Sequence, residues 1–266
     1  MARPIWTGSV AFGLVNVPVG LYSATEDKTV QFNQFEAGTA DRIRYKRVNE
    51  RTGREVELAD IVRGHEVTKG DYVLVTDEDL ESVEPGRKRT IDITDFVDLA
   101  EIDPIYYRRT YYLGPRGDEA TRPYALLHRA MADSGRAGIA TFVMHGKQYL
   151  VAIRATDDVL ALQTMYFADE VRDPAAVVGD LPAAEQLSSR ELSIARQLVE
   201  SMTSAWNPGN YRDTYREQVE DLIERKRQGE QIVTEGEPEP ERVTDLMDAL
   251  RRSTEEMRSR RSRGAS

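Results

Sequence analysis

Most side chains that carry out catalysis are either absent from this sequence or poorly placed for it. The three histidines, His65, His128 and His145, are far apart, and none sits in a His-x-Glu, Glu-x-x-His or triad-like setting, so each reads as an isolated surface or core residue. There is no cysteine, which excludes disulfides, thiolate nucleophiles and thiolate metal sites. Asp77, Glu78, Asp79 and Glu81 are close enough in sequence to hold magnesium for a metal-dependent nuclease. Their place at the start of an expected helix explains them better, because a helix N-terminus favours negative charge. Gly8 and Gly13 lie in an extended run with no Lys-Ser/Thr sequel, so no phosphate-binding loop is expected. The sequence thus predicts no catalytic residues, no metal site and no cofactor.

One stretch does carry a distinct chemistry. From Arg42 to Arg54 the chain reads Arg-Ile-Arg-Tyr-Lys-Arg-Val-Asn-Glu-Arg-Thr-Gly-Arg, six cations and one anion in a protein of net charge -10. Arg42, Arg44, Lys46, Arg47, Arg51 and Arg54, gathered in one strand-like segment of an acidic molecule, point to a polyanionic partner, with nucleic acid first. Their alternation with Ile43, Tyr45 and Val48 predicts a β-ribbon, and Asn49 to Gly53 supply its turn. The competing reading is a solvated strand edge whose charges discourage aggregation. Only Tyr45 is aromatic within this stretch, which argues against recognition by base stacking.

The elements that position these cations follow from hydrophobic period. With 266 residues, 40% hydrophobic and 31% charged, the chain suffices for one large domain, or a domain with an appendage. No run approaches the roughly 20 apolar residues of a membrane helix, and the start lacks a secretory pattern, so a soluble intracellular protein is expected. Period-2 runs recur at Val10–Val19, Val30–Phe35, Tyr72–Val75, Thr90–Val97, Tyr106–Leu113, Gly138–Met144, Tyr149–Ile153 and Val159–Phe167, separated by turn residues. Short strands at that spacing predict a barrel or sandwich, with the clearest hairpin around His145-Gly146-Lys147. Asp77 to Val83 and Tyr124 to Ser134 are expected to be helices between strands.

Beyond Pro182 the period becomes helical. Ser188 with Glu191 forms a capping box, followed by an apolar stripe of Leu192, Ala195, Leu198 and Met202. Asn207-Pro208 is expected to open the next helix, with Tyr211, Tyr215, Val219 and Leu222 on its stripe and Gly229 as its stop. Such narrow faces either pack back on the β domain or are buried by a partner. Glu235 to Glu241 is an acidic, Pro-rich linker. After it come Val243, Leu246, Met247 and Leu250 on an amphipathic helix, then an Arg-rich end that docks a protein, touches DNA or frays. Residues 1–169 carry a net charge of -5, 170–250 of -9 and 251–266 of +4. An acidic body is compatible with one basic face, because exposed charges more than about 8 Å apart are largely screened at physiological salt.

The run Ile5-Trp-Thr-Gly-Ser-Val-Ala-Phe-Gly-Leu-Val-Asn-Val-Pro-Val-Gly-Leu-Tyr-Ser-Ala24 closely resembles the opening of the bacterial Ku proteins, the DNA-end-binding components of non-homologous end joining. The similarity continues through Arg42-Ile-Arg-Tyr-Lys-Arg-Val48, Asp71-Tyr-Val-Leu-Val-Thr-Asp77, Ile102-Asp-Pro-Ile-Tyr106, Tyr111-Tyr-Leu-Gly-Pro115, Trp206-Asn-Pro208 and Tyr211-Arg-Asp-Thr-Tyr215, in the family's order. One departure stands out. Several members resemble one another in a Cys-x-x-Cys pair at the ribbon's turn, and here those positions are Asn49 and Thr52, which supply no thiolate for zinc.

The resemblance implies a mainly β fold with α: a Ku-like β-barrel over residues 1–180 with an inserted basic, DNA-encircling ribbon at about 36–65. A C-terminal helical arm would follow over 181–230, then an acidic linker and short tail over 231–266. It implies a non-enzymatic homodimer that closes a ring around double-stranded DNA ends, acting in double-strand-break repair at the nucleoid of the bacterial cytoplasm. Arg42, Arg44, Lys46, Arg47, Arg51 and Arg54 would line the ring, with Arg87, Lys88, Arg89, Arg108 and Arg109 as second-rank candidates. Leu192, Leu198, Met202, Trp206, Tyr211, Tyr215 and Leu222 would embrace the other subunit. Val243, Leu246, Met247 and Leu250 would engage the end-joining DNA ligase. The alternatives are a nucleic-acid-binding β module without preference for ends and the metal-dependent nuclease above.

Overall fold

The computed structural model of the chain describes residues 2–83, 89–179, 188–229 and 250–253. Among the described residues there are nine strands: β1 (Trp6–Phe12), β2 (Val15–Ser23), β3 (Arg63–Thr68), β4 (Asp71–Val75), β5 (Thr90–Asp98), β6 (Tyr107–Pro115), β7 (Arg136–Met144), β8 (Lys147–Ala155) and β9 (Leu160–Met165). Seven of them form a closed barrel in the order β1-β2-β6-β9-β8-β7-β5, and β3 and β4 make a separate two-stranded ladder. Closure is made by β5 running parallel to β1, from Ser9 opposite Thr90 to Phe12 opposite Ile93; the other barrel pairs are antiparallel. Closure removes the exposed sheet edges that would otherwise invite foreign pairing.

The β-branched and leucine residues that alternate along these strands fill the interior: Val10, Val17, Val19, Leu21, Ile91, Leu113, Val151, Ile153, Leu160 and Leu162 are all fully buried or nearly so. Helix α2 (Asp118–Ser134) adds Ala120, Tyr124, Leu127 and Met131 to the same core, a stripe at helical spacing. Its packing includes one polar anchor. The Tyr124 hydroxyl donates to the Leu113 carbonyl at 2.6 Å and accepts from the Leu160 amide at 2.8 Å, bridging the register pair that ends the β6–β9 ladder. Burial pushes the phenol's pKa upward, partly offset by the Leu160 amide. Thr164, the one buried polar residue among those described, patches the β6–β9 bulge through its hydroxyl to the Arg109 amide at 3.2 Å and carbonyl at 3.3 Å.

Several expectations are corrected. The run Val10–Val19 is two strands, because Gly13 takes φ 59° and reverses the chain between Phe12 and Val15. Val30–Phe35 forms no strand; only Phe35 makes a single bridge, to Arg42, since closing the barrel with β5 leaves the run no place in that sheet. β3 is an additional strand that hydrophobic period does not signal, because Arg63–Thr68 is exposed throughout and lacks period-2 burial. Helix α2 starts at Asp118, ahead of Tyr124, because the acidic first turn of Asp118 and Glu119 offsets the amide lost at Pro123. The expected hairpin at His145-Gly146 is present, with Met144 opposite Lys147.

The residues divide into two units, Met1–Lys28 with Asn33–Val177, and Thr29–Phe32 with Val178–Ser266. The first holds the barrel, the ladder and the short helix α1 (Asp77–Ser82). After the single-turn α3 (Pro174–Val178), the second contains α4 (Ser189–Met202) and α5 (Thr214–Arg227). Asn207-Pro208 opens only a 3-10 turn over Pro208–Asn210, and α5 is capped instead by Asp213, whose carboxylate accepts from the Arg216 amide at 3.0 Å. No helix among the described residues is long and apolar enough to cross a membrane.

Replacing Tyr124 by Phe leaves a buried amide and a buried carbonyl each short of a partner. The expected loss is about 1–3 kcal/mol of stability in a denaturant titration; an unchanged midpoint would show that the bridge contributes nothing.

Candidate nucleic-acid interface

Between β2 and β5 the chain leaves the barrel. Its cationic segment is not one long hairpin but the shared limb of two short reversals. On one side Phe35 bridges Arg42, and the Ile43 amide donates to the Gln34 carbonyl at 2.9 Å. On the other, Val48 bridges Glu55, and the Val56 amide donates to the Arg47 carbonyl at 2.9 Å. All residues from Arg42 to Arg54 are exposed. Every second residue along an extended limb recurs at about 6.6 Å, which spaces Arg42, Arg44 and Lys46 as a row of charges.

The six cations are not equivalent. Lys46 is paired with Glu55 at 2.7 Å, an exposed pair of the kind that contributes little. Arg42, Arg44, Arg47, Arg51 and Arg54 make no ion pair among the described residues. Tyr45 is tied down by a hydrogen bond from its hydroxyl to the Gln34 side-chain carbonyl. The turn that lacks thiolates is organised by hydrogen bonds instead. Asn49 Oδ1 accepts from the Arg51 amide at 3.1 Å, the Thr52 amide at 3.0 Å and the Thr52 hydroxyl at 3.1 Å, while the Asn49 amide donates to the Arg54 carbonyl at 2.9 Å. This Asx-type arrangement fixes where Arg51 and Arg54 leave the backbone.

The second-rank cations are scattered. Arg87 and Lys88 lie outside the described residues. Arg108 lies over the Tyr166 ring at 5.6 Å, and Arg109 is held by its backbone at the β6–β9 bulge. Arg89 belongs to a second cationic group that sequence spacing does not reveal. Arg3, Arg63, Arg89 and Arg116 line one cleft of about 1170 Å³, together with Trp6, Val83 and His145. Four separate chain segments supply these guanidiniums, so no local motif signals them.

The carboxylates proposed for magnesium serve the fold. Asp79 accepts from the Thr76 amide at 2.9 Å and the Thr76 hydroxyl at 2.8 Å, and these bonds hold its carboxyl below the usual range. Asp77 faces Arg63 at 3.3 Å. Among the described residues no three potential metal ligands converge.

In the second unit most of the expected dimerisation residues are exposed. Leu192, Met202, Trp206, Tyr211 and Tyr215 are exposed, Leu198 and Leu222 are half-buried, and Trp206 stacks on Tyr211 with ring centroids 5.1 Å apart. Of the expected ligase contacts, Val243, Leu246 and Met247 lie outside the described residues; Leu250 is in a helical stretch.

Residues 11–194 match the family of the Ku70/Ku80 beta-barrel domain. The chain belongs to the Ku family. It is 53% identical over 265 residues to the non-homologous end joining protein Ku 1 of Saccharopolyspora erythraea, covering 99% of this chain and 81% of that protein. It is 42% identical over 250 residues to the non-homologous end joining protein Ku of Desulfitobacterium hafniense, covering 94% and 86%. With the Ku of Mycobacterium tuberculosis it shares 41% over 263 residues, covering 94% of each. The Ku-like β-barrel expected from the sequence is therefore the fold observed.

Two outcomes follow for this Ku-family chain. Asn49→Ala removes the acceptor shared by Arg51 and Thr52, so amide exchange at those two residues should rise with the barrel's exchange unchanged; unchanged exchange at both would contradict the role given to Asn49. Glu191 caps α4, and the Ser188 hydroxyl, then its amide, hold the Glu191 carboxyl below its ordinary pKa. A lowered folded value means that the cap's contribution is complete above the ordinary carboxylate range and is lost as pH falls through the lowered value. Circular dichroism should show helicity falling in that acid window, with Glu191→Gln flattening the part that this carboxylate contributes.

Proposed function

We propose that the chain binds ends of double-stranded DNA without regard to sequence, as a homodimer that encloses the duplex, and that it acts in non-homologous end joining by recruiting and stimulating a DNA ligase. The observation that carries this reading is the set of five unpaired guanidiniums, Arg42, Arg44, Arg47, Arg51 and Arg54, exposed on a segment that lies outside the barrel. Such groups neutralise phosphates and release counterions without reading base edges. The names of the relatives, all non-homologous end joining proteins, support the process.

Enclosure needs reach and a second subunit. β3 has 6 residues, an extended length of about 20 Å, against a major groove about 12 Å wide. The second subunit is supported by the exposed Trp206, Tyr211 and Tyr215, because aromatic surface left in water is characteristic of an interface. The tail, whose sequence sets Val243, Leu246, Met247 and Leu250 at helical spacing, is the proposed ligase contact. No catalytic residue or cofactor enters this scheme, and the protein acts at the nucleoid of a bacterial cytoplasm.

Reversing Arg44 and Arg47 to Glu should weaken binding to linear duplex at least about tenfold at physiological salt and lower the slope of log affinity against log salt by about two. An unchanged slope would remove the ribbon from the interface. Leu198→Asp combined with Tyr215→Asp should convert a dimer into a monomer by light scattering; a persisting dimer would place the interface elsewhere.

A further inference from the structure

The cleft lined by Arg3, Arg63, Arg89 and Arg116 is a second place where this acidic protein collects positive charge. Asp77 and Glu81 also line it, and Asp77 is engaged by Arg63 at 3.3 Å. Arg3, Arg89 and Arg116 make no ion pair among the described residues. Against the four guanidiniums of the cleft stand the two carboxylates of Asp77 and Glu81, so its lining carries an excess of positive charge that an anion would offset.

The backbone supports this placement. Arg89 adopts φ 57°, a left-handed conformation that costs a non-glycine residue free energy. It is held there by the Ser9 amide, which donates to its carbonyl at 3.0 Å. Gly8 makes the approach possible: a Cβ at that position would stand 2.1 Å from the Arg89 carbonyl oxygen and 2.2 Å from the Trp6 indole. Gly8 therefore sets both Arg89 and Trp6 at the cleft.

Volume and lining identify the class of ligand. About 1170 Å³ exceeds the roughly 300–1,000 Å³ of sites for drug-sized molecules, so a lone small anion leaves most of it unfilled. Apolar wall is supplied by Trp6, by Ile5 at 45% exposure and by Val83 at 74%. Cations beside apolar and aromatic surface are the chemistry of single-strand binding.

We propose that this cleft receives the single-stranded overhang of a DNA terminus, its phosphates held by Arg3, Arg89 and Arg116 and its bases packed against Trp6, Ile5 and Val83. The inference rests on the DNA-end-binding reading and adds to it a site for the strand that extends beyond the duplex. The cleft adjoins Arg63, the first residue of β3, so it lies at the foot of the ladder that follows the cationic ribbon.

The test compares the full-length native protein with an Arg3→Glu, Arg116→Glu double variant, both residues being exposed and outside the core. The probes are an oligothymidylate of about 12 nucleotides, a blunt duplex, and the same duplex with an overhang. The variant should bind the oligothymidylate about tenfold more weakly or worse, lose the extra affinity conferred by the overhang, and keep blunt-duplex affinity within about twofold. Native-like binding of oligothymidylate by the variant overturns the proposal. Equal losses on all three probes also overturn it, since the cleft would then be part of a general electrostatic surface. Complete displacement of the oligothymidylate by tripolyphosphate at matched phosphate concentration does the same, because it reduces the cleft to an anion site. Failure of the native protein to bind blunt duplex would refute the end-binding reading instead, and the oligothymidylate comparison would still decide the cleft.

Discussion

The parallel pairing of β1 with β5 is the constraint from which the rest of the first unit follows. Once Ser9 to Phe12 are matched with Thr90 to Ile93, the barrel closes and has no vacant edge. The chain between β2 and β5 then has no position in the sheet and runs outside it. Polar backbone outside a barrel must find partners locally or in water. Here it does so in minimal form, through the single bridges Phe35 to Arg42 and Val48 to Glu55 and the β3–β4 ladder. Residues from Arg42 to Arg54 are free to be cationic because no packing requirement touches them.

The same division separates stability from function. Burial of Leu21, Leu113, Leu160 and Leu162, with Tyr124 bridging β6 and β9, stabilises the barrel whatever charges lie outside it. The exposed segment contributes little to folding, so packing does not constrain its composition. Five guanidiniums with no ion pair among the described residues concentrate positive charge on a segment that the barrel does not need. Arg89 carries the same logic into the backbone, with a left-handed conformation held in place by Ser9 and the space at Gly8.

Much of the barrel was legible in the sequence because burial on one face writes itself as period 2, as in Thr90–Val97 and Gly138–Met144. The capping box of Ser188 and Glu191 was equally plain, being a local signal with a local cause. What was not legible depended on distant partners. β3 is a strand only because Tyr72–Val75 lies beside it, and Val30–Phe35 is not one because the barrel closes without it. The cationic ribbon was visible as composition, whereas the cleft of Arg3, Arg63, Arg89 and Arg116 exists only after folding brings separate segments together. Arginine in the ribbon is spread along one continuous segment; in the cleft it converges from several.

In the function proposed above, enclosure, not base recognition, selects a DNA terminus. The most direct measurement is competition between linear duplex and relaxed, covalently closed circles of the same length for the purified protein. Linear duplex should be captured and the closed circles should compete poorly. Equal competition by molecules without a terminus would contradict the account.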